Sequence, residues 1–210
     1  MEDLFSVSNL NNTTHSGWRS RGYLPHYDSA GVVQFVTFRL FDSMPQERRA
    51  EWEHLILADA DLRNNPKRMQ AIDNYLDAGY GSCMLRDERV ARIMEDTLLK
   101  FDGERYRLLA WVVMPNHVHV LIEVMDGAKC SLEAVMHSWK SYTASAGNQI
   151  LCRKGQFWQK EYFDRYIRDD RHFANVRAYI DNNPVAAGLA RCPNEWLYCS
   201  AHHSTTSDSQ

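Results

Sequence analysis

Long hydrophobic runs are missing from this 210-residue chain. Stretches such as Trp111 to Met114 fall far short of the roughly 20 apolar residues that span a bilayer, so no membrane segment is expected. No secretory leader is expected either. Met1 to Trp18 is polar and carries Glu2 and Asp3, whereas a secretory signal needs a positive start and then an apolar stretch; the expected location is the cytoplasm. Cysteine is sparse, with residues at 83, 130, 152, 192 and 199 and no C-x-x-C pair. That pattern argues against a disulfide framework and fits free thiols in a reducing compartment. Cys192, Cys199, His202 and His203 hold zinc-capable donors, but their spacing matches no common finger. Nor is there an excess of positive charge. With a net charge of -3, no overall field attracts nucleic acid, and any basic surface must be local.

What is present is an ordinary globular composition, 44% hydrophobic and 24% charged, enough for one domain with a real core. Charge changes sign along the chain. Between 42 and 77 eight acids outnumber five bases, and between 140 and 191 nine bases outnumber five acids. The basic half is either a phosphate-binding face or a solvated mixed surface.

Val32 to Phe41 is rich in β-branched and aromatic residues and reads as a strand. Helical periodicity follows from Gln46 to about Leu62, with Ser43 as a plausible cap, and again from Asp87 to Lys100. Tyr106 to Met114 and His117 to Val124 are apolar segments separated by Pro115 and Asn116, the pattern of a tight hairpin. Leu132 to about Ile150 reads as a helix, Phe157 to Ile167 as a strand, and Asp170 to Asn182 as a helix with Phe173, Val176 and Ile180 on one face. This order predicts an α+β fold of the ferredoxin-like (RRM-like) kind, an antiparallel sheet with helices packed on one face. The expected division is a flexible N-terminus over 1–17, one domain over 18–203 with a helical insertion at about 45–100, and a disordered tail over 204–210.

Within the predicted hairpin, His117 and His119 project from the same face of a strand, while Val118, Val120, Ile122 and Val124 occupy the other. Two histidines at i and i+2 form half of a metal site on a rigid support, although paired strand histidines are often plain surface residues. A second half is offered by the helix that ends near Asn183. Tyr179 and Asn183 are four apart, so they stack on one helical face, an amide oxygen for a hard cation beside a phenol. The ordinary alternative makes Tyr179 a core aromatic and Asn183-Pro184 a helix stop.

The run W-V-V-M-P-N-H-V-H-V-L-I-E (Trp111 to Glu123) resembles the signature of single-tyrosine HUH transposases. G-Y-L-P-H (Gly22 to His26), Q-F-V-T-F-R-L (Gln34 to Leu40), F-W-Q-K-E-Y-F-D-R-Y-I-R-D (Phe157 to Asp169) and A-Y-I-D-N-N-P-V-A-A-G (Ala178 to Gly188) are similar to the REP-associated tyrosine transposase branch. The matching order extends from about Gly22 to Ala201. The resemblance implies an HUH endonuclease fold, with His117, His119 and Asn183 as metal ligands and Tyr179 as the nucleophile. It implies cleavage of single-stranded DNA near hairpin-forming palindromes, and DNA transposition. The insertion at 45–100 exceeds that of the shortest members, and a net negative charge is unusual for a DNA enzyme.

Phosphodiester cleavage needs an in-line nucleophile and compensation of charge on the non-bridging oxygens. Two neutral imidazoles and an amide leave a cation's charge intact and its other positions open, which suits Mg or Mn better than zinc. Tyr142, Tyr162 and Tyr166 compete for the nucleophile's role, but none has a metal-capable amide four residues later. Lys140, Arg165, Arg168, Arg171 and Arg177 are candidate phosphate contacts, and Phe157, Trp158, Tyr162 and Phe163 can stack on unpaired bases, about half of them being expected in the core. By family analogy Arg19, Arg21 and His26 read the DNA hairpin or guide nucleotides. The expected partners are single-stranded DNA and DNA hairpins, with the protein a monomer or homodimer. A histidine-triad hydrolase is disfavoured because Leu121 stands where the third histidine belongs, and a two-histidine phosphoesterase because no second H-x-T/S pair is evident. A domesticated hairpin-binding protein without turnover is the remaining rival.

Overall fold

A computed structural model describes residues 17–20, 25–28, 30–45, 75–126 and 131–207. Of the flexible start expected over 1–17, residues 1–16 lie outside these residues, as do the helix expected from Gln46 to about Leu62, Arg21 and residues 208–210, while Gly17 opens a strand.

Two short strands, β1 (Gly17–Ser20) and β2 (Pro25–Asp28), pair antiparallel and set Arg19 opposite His26. The main sheet holds β3 (Val33–Arg39), β4 (Tyr106–Val113), β5 (His117–Val124) and β6 (Phe163–Tyr166) in the order β4-β5-β3-β6, all antiparallel. With helix α1 (Glu88–Leu99) between β3 and β4, and α2 (Leu132–Ile150) between β5 and β6, this is the expected ferredoxin-like α+β arrangement. Asp87 caps α1 by accepting from the Arg89 amide at 3.0 Å, and Ser131 caps α2 by accepting from the Ala134 amide at 3.1 Å. Each cap satisfies a donor that the helix itself cannot.

The two faces of β5 have separate fates. Val118, Val120, Ile122 and Val124 are sealed in the main core with Val90, Met94 and Leu98 of α1 and Val135, Met136 and Trp139 of α2. Burying each such aliphatic side chain contributes about 1.5–3 kcal/mol. The polar edges of this core are satisfied: the Trp139 indole donates to the Tyr106 hydroxyl at 3.1 Å, which donates to the Leu98 carbonyl at 2.6 Å. Both helices pack on this face, as expected. The opposite face is covered as well, by helix α3 (Asp170–Ala186), whose Phe173, Val176 and Ile180 pack toward Phe35, Val112 and Leu121. The histidine side of the sheet is therefore an enclosed interface.

Four boundaries differ from expectation. Phe157 to Ile167 is a strand only over Phe163–Tyr166, because Phe157, Trp158 and Tyr162 all enter the main core and so cannot alternate sides. The Trp158 indole donates to Thr143 on α2 at 2.9 Å, which leaves no half-exposed ribbon there. Helix α3 runs past Asn183 and through Pro184. Proline has no amide to donate back to Ile180, but the next turn continues, and the chain leaves the helix at Gly188 (φ 69) in a Schellman motif, with Gly188 N to Val185 O at 3.0 Å and Leu189 N to Pro184 O at 2.8 Å. Of the segment expected as an insertion at 45–100, α1 is built into the main core. The stretch after His203 begins as helix rather than as a disordered tail, since α4 spans Ser200–Ser207 and the Ser204 hydroxyl donates to the Ser200 carbonyl at 2.9 Å.

Gly147 on α2 tests the packing. A Cβ there would stand 2.7 and 2.9 Å from ring atoms of buried Phe157, so Gly147→Ala meets overpacking of roughly 1–3 kcal/mol, partly offset by about 1 kcal/mol of helix propensity. The expected result is a Tm lowered by several degrees in thermal circular dichroism; an unchanged or raised Tm would show that Phe157 yields freely.

Candidate functional site

Strand β5 holds the histidines in the centre of the sheet, and both are fully buried, 0% exposed, which excludes the plain surface reading. Register sets Thr37 beside His119 and Arg39 beside His117. The Thr37 hydroxyl lies 2.7 Å from His119 Nδ1, so a proton on Nδ1 leaves the Nε2 lone pair free.

His117 is held by Asn116, the residue that closes the β4–β5 turn. Asn116 Nδ2 donates to the carbonyls of Leu76 and Tyr80, both at 3.0 Å, and its Oδ1 lies 2.7 Å from His117 Nδ1. Two carbonyl partners define which way the amide points. Its oxygen must therefore accept, His117 carries its proton on Nδ1, and Nε2 is left as a lone pair. Burial, and then the charge of Arg39, pushes the His117 pKa down to about 3, with an opposing pull from the Asn183 side chain. His119 is held well below the ordinary imidazole value by burial, then by His117. Both rings are thus neutral near pH 7, the form that ligates metal.

Helix α3 brings the second half. Tyr179 Oη lies 3.3 Å from His119 Nε2, and Asn183 Nδ2 donates to the same hydroxyl at 3.2 Å. The four-residue spacing therefore does stack phenol and amide, and the helix presents both to the histidines of the same chain. Phe35 braces the group, stacked on His119 with ring centroids 5.4 Å apart and edge-on to Tyr179 at 5.9 Å. A cavity of about 400 Å³ opens beside Tyr179, lined also by Asp77, Ala78, Asn182, Asn183, Ala186 and Ala187.

The donor set fits a hard divalent cation. Buried His117 Nε2 and Asn183 Oδ1 find no partner at full hydrogen-bond geometry, although the Asn183 side chain is near enough to pull on His117; with the His117 proton on Nδ1 both are acceptors, a costly state inside a protein unless something binds them. Among the described residues no three His, Cys, Asp or Glu side chains close into a ready metal cluster, so an amide oxygen would have to complete the histidine pair. The alternative Cys/His zinc set disperses: Cys192 contacts Asn194, Cys199 contacts the Trp196 carbonyl, and His203 reaches Glu95.

Other sequence candidates are distributed over both faces. Tyr162 is in the main core, and Tyr142 is exposed on α2, on the far side of the sheet from the histidines. Lys140 lies on that far side too, its Nζ donating to the Lys160 carbonyl at 2.7 Å. Three of the four aromatics considered for base stacking, Phe157, Trp158 and Tyr162, are core residues, and Phe163 packs against the second cluster. Arg165 on β6 is paired in register with Phe35, and exposed Arg168, Arg171 and Arg177 follow on the turn and on α3. Arg177 lies 3.9 Å from Asp181. Arg19 and His26 are register partners on β1 and β2. Thr37, Asn116 and Asp77 were missed by the sequence reading. Asn116 is visible in the sequence as the residue before His117, where Pro115-Asn116 reads only as a tight turn.

Residues 84–183 match the family model "Transposase IS200 like". A putative REP-associated tyrosine transposase of Haemophilus influenzae is 23% identical over 111 residues, covering 49% of this chain and 63% of the relative. The REP-associated tyrosine transposase of Escherichia coli is 22% identical over 112 residues, covering 53% of this chain and 64% of that one. The chain thus spans under two thirds of these relatives' length. Among solved structures, a REP-associated tyrosine transposase bound to a REP hairpin superposes with a TM-score of 0.55 at 17% identity, over 88% of this chain and 86% of the other, which shows a shared fold. Family model, relatives and fold converge on one resemblance, to the REP-associated tyrosine transposases of the IS200-like transposase family.

Proposed function

We propose that this protein is a metal-dependent single-strand DNA endonuclease and strand transferase, acting near hairpin-forming palindromes in DNA transposition through a covalent 5'-phosphotyrosine. The observation that carries this reading is the Tyr179 hydroxyl 3.3 Å from the Nε2 of buried His119. In this reading one domain over 18–203 supplies every reacting group, as a monomer or homodimer.

The Tyr179 oxygen attacks phosphorus, the bond from phosphorus to the 3'-oxygen breaks, the phenol loses its proton and the leaving oxygen gains one. A phenol with an ordinary pKa of about 10 is a weak nucleophile at neutral pH, so its position must be set in advance. Asn183 Nδ2 donates to the hydroxyl, and His119 Nε2 lies 3.3 Å from it until a cation takes that lone pair, so the phenol is placed beside the site before attack. His117, His119 and Asn183 would hold Mg or Mn, which when bound would offset charge on the non-bridging oxygens. The phosphotyrosine bond keeps the energy of the cleaved linkage, so a second strand end can be joined. Arg165, Arg168, Arg171 and Arg177, on the Tyr179 side of the sheet, are the phosphate contacts of this reading, with Arg19, Arg21 and His26 toward the hairpin. Lys140, across the sheet, would serve only DNA that wraps the edge.

Incubating the protein with single-stranded hairpin oligonucleotides, with and without Mn, should yield an SDS-stable protein–DNA adduct only with the metal. A hairpin-binding protein without turnover would shift the oligonucleotide in a native gel and leave no adduct.

A further inference from the structure

Asp77 stands beside the site without a role in that reaction. It lies outside the segment that matches the transposase family model, 84–183, and reaches the histidines through the turn that Asn116 ties down at Leu76 and Tyr80. Its Oδ1 is 3.7 Å from His117 Nε2, and both atoms are buried without a partner at hydrogen-bond geometry.

Asn116 directs the His117 proton to Nδ1, so two lone pairs face each other across this gap. Nothing in the pair holds them together: the separation is too long for a hydrogen bond, and facing acceptors repel. A cation between them reverses the sign of that interaction. Two ligand atoms that share a hard divalent ion at about 2.1 Å in neighbouring positions stand roughly 3.0 Å apart, so the 3.7 Å gap between Asp77 and His117 has to close by only about 0.7 Å for both to reach one ion.

We propose that Asp77 is a further ligand of the divalent cation held by His117, His119 and Asn183, its carboxylate completing the cation's shell from a segment of the chain outside the family match. This rests on the metal-dependent reading above. Because no three acidic, histidine or cysteine side chains are yet closed around one point among the described residues, Asp77 moves inward as the ion binds, and the cavity it lines gives it room. A carboxylate adds negative charge to an otherwise neutral donor set, so it raises affinity for hard Mg and Mn.

The test is Mn binding to the full-length, DNA-free protein, followed by electron paramagnetic resonance. Asp77→Asn keeps the shape, removes the charge and is expected to weaken Mn binding by about 10-fold or more, on the scale seen when a metal site's partners are altered. Asp77→Cys supplies an independent readout: with Cd it should give a thiolate-to-cadmium charge-transfer band absent from the wild type. If Asp77→Asn binds Mn as the wild type does while His119→Gln does not, or if Asp77→Cys gives no new band, the ligand assignment is overturned and the two-histidine reading stands. If the wild type itself binds no Mn, both fall together.

Discussion

Tyr179→Phe is expected to abolish the covalent adduct with single-stranded DNA and to lower strand cleavage by a factor on the order of 10⁴ or more, the scale on which losing a nucleophile is felt. The fold should survive. The substitution removes one oxygen and keeps the ring that packs edge-on against Phe35. The hydroxyl's two contacts, to His119 and Asn183, are each worth only about 0.5–1.5 kcal/mol net. Metal binding should survive too, because the imidazoles and the Asn183 oxygen are untouched. An SDS-stable adduct from the Tyr179→Phe protein would assign the nucleophile elsewhere, with exposed Tyr142 and Tyr166 the first to substitute in turn.

His119→Gln should weaken Mn binding by at least about 100-fold, beyond the roughly 10- to 100-fold cost of altering an outer-shell partner, with metal-dependent cleavage lost in parallel. Glutamine is the informative choice over alanine. His119 is fully buried, stacks on Phe35 and meets Thr37 at 2.7 Å, so alanine would add a cavity and strand a hydroxyl, which destabilises by several kcal/mol for reasons unrelated to the cation. Titration of Mn into the folded, DNA-free variant separates the two effects. Affinity within about threefold of the wild type would mean that the pair on β5 does not hold the ion.

The basic residues are placed differently from the histidine–tyrosine group. Arg168, Arg171 and Arg177 project from the turn and from α3 on the side that carries Tyr179, while Lys140 is on the other side of the sheet. Sequence proximity to a motif does not report which layer a residue joins. The same holds for the aromatics between Phe157 and Phe163, where an apparent alternation conceals three residues packed into one core.

Patterns confined to one element were readable from the residues alone. The period of two along β5 separated the histidines from Val118, Val120, Ile122 and Val124, and the period near four along α3 joined Tyr179 to Asn183, because backbone geometry alone dictates both. The order of elements likewise determined the ferredoxin-like class. Only the tertiary structure decided that α3 lies across the histidine face, that Tyr179 and not Tyr162 meets His119, and that Asn116 binds His117 and the Asp77 turn at once. The Asn116–Leu76 and Tyr179–His119 contacts join residues 40 and 60 apart. Such contacts depend on which surfaces bury against each other, and no periodicity within one segment records that choice.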